Sequence, residues 1–269
     1  MVFLGSKNKY KNDIPPIINK YIKDNNITTF VDCFCGGANL ADKIMCENIY
    51  AIELSPTLYS LHKQAQEDFS KIPEDGNREI WDNSYAAWKR MKQILDNKKF
   101  SEFTEKDFKN INLPLYEIGS IEWYSSYSRG GFPIGYAKNT DKRNFYKEAR
   151  KNHEEQSKSD IYKKINFICD SYENVENIFN NNGNILLYCD APYKNTTAYA
   201  ISKNFDSPKY YEWLKDISTI YPVFVSEQYL PPEFDNNIVW KKEVKRTCGE
   251  DHQFKATETL WLIDNRSQV

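Results

Sequence analysis

Seven short stretches of the chain combine apolar, β-branched and aromatic residues in the manner of β-strands. They are residues 28–34, 48–54, 164–170, 184–190, 221–228, 237–244 and 257–264. Segments with helical patterning separate several of them, namely 13–25, 38–48, 55–72, 171–183 and 207–220. Strands that alternate with helices predict a parallel, doubly wound α/β sheet. In the third helical segment, Ser55 is placed to cap the helix and Pro56 to occupy its first position.

Residues 71–160 break this alternation with charged segments followed by a polar, aromatic stretch. So long a departure between two strands predicts an inserted subdomain. We therefore expect the sheet domain to consist of residues 1–70 and 161–269, with residues 71–160 as the insert.

The composition limits the class of protein without naming it. With 269 residues, of which 40% are hydrophobic, the chain can bury a sizeable core. No stretch approaches the roughly 18 apolar residues that span a bilayer, and residues 1–12 lack the apolar run of a secretory signal. We expect a cytoplasmic protein without a membrane partner, and the abundance of Asn, Lys and Ile suggests a bacterial or phage genome.

Metal binding is not expected from the cysteines and histidines. The six cysteines form no C-x-x-C pair, and the three histidines are scattered along the chain. The cysteines are therefore expected to be buried, reduced thiols. The net charge of -2 also argues against a protein that coats nucleic acid through its bulk charge.

A glycine pair follows the first predicted strand. Asp32 ends the strand, Gly36 and Gly37 follow, and a helix is expected to start near Ala38. Such a turn lets the backbone approach a ligand at the carboxyl end of a sheet. The alternative is a tight turn with no ligand, since the G-x-G-x-x-G pattern is absent.

Acidic residues stand at the ends of four predicted strands: Asp32, Glu53, Asp170 and Asp190. Glu53 lies where an acidic side chain binds ribose hydroxyls in doubly wound sheets. Four carboxylates at one crevice favour a nucleoside ligand that carries positive charge, and S-adenosylmethionine (AdoMet) has that chemistry. The pyrophosphate of NAD would suit an acidic site less well.

The sequence Asp190-Ala191-Pro192-Tyr193 has a chemical interpretation beside that of a simple strand-to-turn transition. An adenine amine is a poor nucleophile, because its lone pair is delocalised into the ring. Asp190 can accept one amine hydrogen and the Ala191 carbonyl the other, with rigid Pro192 holding the turn. Tyr193 can stack on a base that has left its duplex.

With these motifs, the chain resembles the Dam-type adenine-specific DNA methyltransferases over nearly its whole length. The resemblance rests on "DAPY" (190–193), "FCGGA" (34–38), Glu53 and the N-terminal "FLGSK" (3–7). It implies a Rossmann-like methyltransferase sheet with an inserted target-recognition subdomain, AdoMet as the methyl donor and no metal. The AdoMet-binding residues that it implies are Phe3, Lys7, Asp32, Phe34, Gly36, Glu53, Leu54, Asp170, Ser171 and Asp190.

The chain departs from the family pattern at two positions. Ala191 replaces the usual proline of the catalytic motif, but a backbone carbonyl is what the proposed role needs, and alanine supplies it. The glycine motif reads "CGG" where a spaced pair is usual, which leaves the conformation of that loop open.

The stretch 125–137 is similar to the polar, aromatic recognition hairpin of this family. Arg129 can read a guanine edge, Gly130 and Gly131 allow a tight hairpin, and nearby aromatic rings can stack where a base leaves the duplex. The rings are Tyr124, Tyr127, Phe132 and Tyr136. A packed aromatic loop is the alternative. The Lys/Arg-rich segment 138–164 is either a solvated helix face or a phosphate-contacting strip.

Two later strands offer weaker candidates. Ser226 and Glu227 end a strand beside the expected pocket and are candidates for shaping the base site. Lys255 and Glu258 are more simply interpreted as structural residues.

We interpret the sequence as an AdoMet-dependent N6-adenine methyltransferase of double-stranded DNA, acting as a monomer or weak dimer and consistent with a restriction-modification system. Two alternatives stay open: methylation of RNA or a protein amide, and a DNA-binding relative that has lost catalysis. A cytosine C5 enzyme is disfavoured, because no cysteine follows a proline.

Overall fold

The computed structural model describes residues 7–96, 107, 111–126, 131–140, 142–180, 184–192, 205–248 and 252–266. Its centre is a seven-stranded sheet in the order β3-β2-β1-β4-β5-β7-β6. The strands are β1 (Thr29–Asp32), β2 (Asn48–Glu53), β3 (Asn166–Cys169), β4 (Ile185–Cys189), β5 (Val223–Glu227), β6 (Ile238–Cys248) and β7 (His252–Ile263). All seven predicted strands are confirmed.

The sheet is mixed rather than wholly parallel. Strands β1 to β5 pair in parallel, whereas β7 runs antiparallel to both β5 and β6. The prediction of a parallel sheet was therefore wrong for the last two strands. Only three residues separate β6 from β7, and a connection that short permits a hairpin but not a parallel crossover.

The strand order creates a switch point in the middle of the sheet. The chain builds outward from β1 through β2 to β3, and then returns to place β4 on the other side of β1. Ligands of open α/β sheets bind at the carboxyl ends of the strands where the order reverses. The acidic ends of β1 and β4 lie at this point.

Eight α-helices occur within the described residues. They are α1 (Ile14–Asp24), α2 (Pro56–Glu67), α3 (Arg78–Asp96), α4 (Leu115–Tyr124), α5 (Phe145–Ser157), α6 (Asp160–Lys164), α7 (Val175–Phe179) and α8 (Ser207–Ile217). The predicted start of α2 is confirmed, since the Ser55 hydroxyl accepts a hydrogen bond from the Leu58 N–H and Pro56 is the first residue. None of the helices described is long and apolar enough to cross a membrane.

The helix expected over 38–48 is absent from the structure. That segment contains only a short 3-10 helix, Ala41–Lys43. Gly36 and Ala38 both adopt positive φ, at 48° and 53°, so the residues that would start an α-helix belong to the loop instead.

The insert shares its core with the sheet. Alternating residues of a strand face opposite sides of the sheet. On one of these sides, Phe30 of β1 belongs to the same buried cluster as Trp81, Ile118 and Tyr146 of the insert. Gly119 permits the close approach of α4 to the start of α2, because a Cβ there would lie 2.3 Å from the Thr57 carbonyl oxygen. The insert is thus packed directly onto the sheet domain.

Candidate functional site

The carboxyl edge of the parallel strands gathers the acidic residues. Asp32 and Glu53 end β1 and β2, and Glu227 ends β5. Asp170 and Asp190 directly follow β3 and β4. Because these five strands run in parallel, their ends lie along one side of the sheet. We call these five residues the acidic edge.

A partly buried ion pair lies at the switch point. The Lys7 Nζ is 2.5 Å from the Asp190 Oδ1 and 3.4 Å from the Glu258 Oε1. Tyr10 donates a hydrogen bond from its hydroxyl to the Glu258 Oε2 at 3.4 Å. The N-terminal segment therefore delivers its lysine to the carboxylate of the candidate catalytic motif.

Burial favours the neutral form of two neighbouring acids. Asp32 accepts a hydrogen bond from the Phe34 N–H at 3.2 Å, yet desolvation raises its pKa to about 8 and the nearby Asp190 and Glu53 add to the rise. Glu53 accepts from the N–H groups of Gly36 at 3.1 Å and Ser55 at 2.8 Å. Desolvation still raises the pKa of Glu53 to about 7.

Glu227 extends the same environment to the end of β5. It is 5% exposed, and burial raises its pKa to about 8. Lys7 brings one positive charge to an edge where several buried acids have raised pKa values. A ligand that offers positive charge and hydroxyl donors would stabilise the ionised forms of these acids.

The glycine loop is held in place by two helices that follow it in the sequence. The Gly36 carbonyl accepts a hydrogen bond from His62 Nε2 of α2 at 2.7 Å. Gln156 of α5 donates to the carbonyls of Gly37 at 3.1 Å and Ala38 at 3.2 Å. The loop conformation that the sequence left open is therefore set partly by a helix of the insert.

A chain of buried hydrogen bonds continues from this loop to the end of α4. Tyr162 bonds through its hydroxyl to His62 Nδ1 and to His153 Nε2, both at 2.8 Å. His153 Nδ1 lies 2.5 Å from the Tyr124 hydroxyl. We call Tyr124, His153, Tyr162 and His62 the histidine–tyrosine relay.

The donor and the acceptor of each hydrogen bond in the relay can be assigned by starting at the Gly36 carbonyl. The Gly36 carbonyl can only accept, so His62 carries its proton on Nε2, and burial keeps the ring neutral by lowering its pKa to about 4. The Tyr162 hydroxyl then donates to His62 Nδ1 and accepts from His153 Nε2–H. Tyr124 donates to the remaining nitrogen, so every ring nitrogen of the relay has a partner.

Three further cofactor candidates lie beside the acidic edge. Phe34 is half-buried and stacks on Tyr172 with ring centroids 5.0 Å apart. Leu54 is exposed, and Ser171 caps the following turn by accepting from the Glu173 N–H. Asp170 accepts from the Ser171 N–H at 2.6 Å and from Asn174 Nδ2 at 2.7 Å. Contact between these residues and a ligand stays a prediction.

The described part of the catalytic motif ends at residue 192. Ala191 is buried and Pro192 is half-buried. Tyr193 lies outside the described residues, as do Phe3, Tyr127, Arg129 and Gly130, so the roles predicted for them stay predictions.

The predicted stacking role is corrected for two rings of the insert. Tyr124 is wholly buried in the relay, and Phe132 is 2% exposed with its ring 4.7 Å from that of Trp81. Neither ring presents a free face to a base in this conformation, because both fill the core of the insert. Tyr136 is half-buried, and it forms an antiparallel bridge with Ser126 that closes the base of the predicted hairpin.

The Lys/Arg-rich segment 138–164 forms mostly α5 and α6. Some of its exposed cations pair with acids of the same segment, as Arg143 does with Glu148 at 3.0 Å and Lys158 with Glu154 at 3.1 Å. These pairs are typical of a solvated helix face, and a phosphate-contacting role for the other lysines of the segment stays a prediction.

Several residues were not singled out from the sequence. Glu122 of α4 is buried, accepts a hydrogen bond from Thr57 at 2.7 Å, and has its pKa raised to about 8 by burial. His62 and His153 are far apart in the sequence, and only tertiary packing brings their side chains to the same tyrosine. Within the described ranges, no group of three or more His, Cys, Asp or Glu side chains is arranged to hold a metal ion.

The comparisons with known proteins identify one family. The model of the family described as D12 class N6 adenine-specific DNA methyltransferase matches residues 3–223, which is most of the chain. No curated protein matches the chain.

Proposed function

Because the chain belongs to the D12 class of N6 adenine-specific DNA methyltransferases, we propose that it transfers a methyl group from AdoMet to adenine N6 in double-stranded DNA. The target base would be turned out of the duplex, since its amine is not accessible within the stack. The observation that supports this most is the partly buried Lys7–Asp190 pair at the switch point, beside acids whose neutral forms burial favours.

The acidic edge suits AdoMet chemically. The ligand offers a ribose diol, a positively charged sulfonium and an amino group, and the ionised forms of Asp32 and Glu53 would gain from such neighbours. We propose that Lys7 and the glycine loop at Gly36 contact it as well, together with Phe3, Phe34, Leu54, Asp170, Ser171 and Asp190. When bound, AdoMet supplies an electrophilic methyl group.

The roles of the catalytic motif follow from its position next to this site. Asp190 accepts one hydrogen of the target amine, and the Ala191 carbonyl accepts the other, which frees the nitrogen lone pair for attack. The amine loses one proton as its new bond forms, and Asp190 is the group placed to receive it. Tyr193 stacks on the base, and Lys7 holds the Asp190 carboxylate in position.

The replacement of the usual proline by Ala191 is compatible with this chemistry. The acceptor is the backbone carbonyl, which the side chain does not change. Burial of Ala191 and the fixed φ of Pro192 restrict the turn. We therefore propose an active enzyme rather than a binding relative that has lost catalysis.

The experiment is transfer of labelled methyl from AdoMet to unmethylated duplex DNA, followed by nucleoside analysis of the product. We expect N6-methyladenine from the wild-type chain and none from Asp190→Asn. Asp264→Asn is the matched control, because Asp264 is a surface acid paired with Arg266, and it should leave the product unchanged.

Two outcomes would contradict the proposal. Binding of AdoMet without methyl transfer to any nucleic acid or protein would indicate a binding relative. Transfer to RNA or to a protein amide, with none to DNA, would refute the proposed substrate.

A further inference from the structure

A buried acid outside the acidic edge lies next to the predicted recognition hairpin, residues 125–137. Glu122 of α4 is 2% exposed. Trp88 and Phe132 lie beside its carboxyl group, and their ring centroids are 5.7 Å apart. A carboxyl group among aromatic rings costs free energy that an apolar side chain of the same size would not. Its presence therefore indicates a role beyond packing.

Hydrogen bonds connect Glu122 to the cofactor side of the molecule. The Thr57 hydroxyl donates to Glu122 Oε2 at 2.7 Å. Because a hydroxyl has only one proton, the 2.9 Å bond between the Ser55 and Thr57 hydroxyls is donated by Ser55. The Ser55 N–H in turn donates to Glu53 Oε1 at 2.8 Å. The first turn of α2 therefore lies between two carboxyl groups, Glu53 in the proposed AdoMet site and Glu122 in the insert.

The other oxygen of Glu122 faces the backbone of the hairpin. A Cβ at Gly131 would lie 3.2 Å from Glu122 Oε1, so the chain passes close to the carboxyl group at this glycine. The Gly131 N–H donates to the Ser126 hydroxyl at 3.0 Å, and Ser126 forms the bridge with Tyr136. Glu122 thus contacts the residues that close the base of the hairpin.

The environment of Glu122 favours its neutral form. Burial raises its pKa to about 8, and Glu53 adds to the rise, whereas the bonds from Thr57 and the Phe132 N–H oppose it. Glutamine has the shape of a neutral glutamic acid and likewise offers an acceptor and a donor. Glu122→Gln is therefore the conservative variant, and Glu122→Met keeps the length of the side chain but removes its hydrogen bonds.

We propose that Glu122 is a positioning residue for the DNA substrate, which fixes the base of the recognition hairpin, at Ser126 and Gly131, against the first turn of α2. This inference rests on the proposed function, because it takes the hairpin as a DNA-binding element. A hairpin fixed to α2 has a set position relative to Glu53 and to the site of methyl transfer. In this role Glu122 acts through the hairpin and not on the reacting atoms.

The test measures kcat and both KM values for methyl transfer to unmethylated duplex DNA. For Glu122→Met we expect a KM for DNA at least about fivefold higher, with kcat and the KM for AdoMet within about twofold of wild type, because the lost contact weakens DNA binding and not the chemistry. Glu53 keeps its bonds from Gly36 and Ser55 in this variant. Glu122→Gln should restore most of the DNA affinity.

Two glycines of the hairpin provide a matched pair. Gly131 and Gly135 have nearly the same backbone conformation, with φ of 81° and 97°, so alanine strains both positions alike. A Cβ at Gly131 meets Glu122, whereas a Cβ at Gly135 meets nothing within 4 Å. Gly131→Ala should therefore raise the KM for DNA more than Gly135→Ala does. This pair tests the contact even if Glu122→Met does not fold.

Equal effects of Gly131→Ala and Gly135→Ala would overturn the proposal, and so would an unchanged KM for DNA in Glu122→Met. A rise confined to the KM for AdoMet would also overturn it, since Glu122 would then belong to the cofactor site. Failure of the proposed function would appear differently, as no methyl transfer by the wild-type chain. Direct binding of the same variants to duplex DNA would then supply the comparison.

Discussion

The acidic edge and the histidine–tyrosine relay are both buried clusters of polar side chains, but they differ in how their hydrogen bonds and charges are balanced. In the relay, the carbonyl of Gly36 fixes one proton on His62, and each following donor meets an acceptor up to Tyr124. At the edge, Asp32 and Glu227 have pKa values raised to about 8. For these acids, desolvation disfavours the ionised carboxylate more than the neighbouring hydrogen bonds and charges favour it.

This difference distinguishes a structural network from the proposed binding site. A buried network whose members are all paired stabilises one conformation and gains little from a ligand. Buried acids that favour their neutral forms gain from any cation placed beside them. The relay therefore serves to hold the glycine loop against α2, α4 and α5, whereas the acidic edge is where we propose that a positively charged ligand binds.

The largest effect is expected from Lys7→Met, which removes the cation from the acidic edge. Asp190 and the buried Glu258 would both lose a bonded partner, so we expect a loss of up to about 3–5 kcal/mol in the free energy of unfolding. Methyl transfer should also be lost, because Asp190 is no longer held. Chemical denaturation and the methylation assay measure the two effects.

Lys7→Arg is the matched variant, because it keeps the charge. It should recover most of the stability and part of the activity. Equal stability of wild type and Lys7→Met would show that the edge does not need its cation.

A smaller loss is expected from Tyr162→Phe, which breaks the relay in its middle. One hydroxyl serves both His62 and His153, and a buried polar group without a partner costs about 1–3 kcal/mol. Since the relay ends on the Gly36 carbonyl, the KM for AdoMet should rise while kcat is nearly kept.

Tyr59→Phe on α2 is the control for the relay, because Tyr59 is only half-buried. It should leave both stability and KM close to the wild-type values. A fall in kcat without a change in KM for Tyr162→Phe would contradict the positioning role of the relay.

The two regions also predict opposite pH slopes for the stability of the ligand-free protein. The pKa of His62 is lowered to about 4 by burial, so the unfolded state binds more protons between about pH 4 and 6.5 and the relay loses stability as the pH falls. The raised pKa values of Asp32 and Glu53 have the reverse sign. The folded state binds the extra protons, and stability falls as the pH rises from about 4 to 8.

Above pH 6.5 the contribution of the edge dominates, because the His62 ring is neutral in the folded state and histidines of the unfolded state increasingly lose their protons. Thermal melting from pH 6.5 to 8 should therefore show a falling Tm without ligand, by about 2–4 °C for each kcal/mol lost. The slope should flatten in Asp32→Asn/Glu53→Gln. A Tm that rises over this range would contradict the raised pKa values.

The sequence predicted the acidic edge better than it predicted the relay. Strand ends can be read from short apolar runs, and parallel pairing brings Asp32, Glu53 and Asp190 to one side whatever the details of packing. The relay joins His62 to Tyr162, which is 100 residues away, and only the packing of the insert onto α2 creates that contact.

The errors in the sequence predictions have physical causes of the same kind. Aromatic residues near a recognition loop can either contact a ligand or fill a core, and Tyr124 and Phe132 fill the core. Residues 38–48 have the patterning of a helix. Because Ala38 adopts a positive φ, however, the start of that segment belongs to the loop. Local propensity did not decide either case, because tertiary packing did.

The most direct test of the contrast between the two regions is to measure the AdoMet affinity and the ligand-free Tm of Asp32→Asn at pH 8. Asparagine can keep the hydrogen bond from the Phe34 N–H while removing the buried charge. We expect the two values to change in opposite directions: AdoMet affinity at least about tenfold weaker, and the free energy of unfolding higher by at least about 1.4 kcal/mol, the equivalent of one pKa unit. If both fall together, or AdoMet binds as tightly as before, the acidic edge is a structural feature and not the cofactor site.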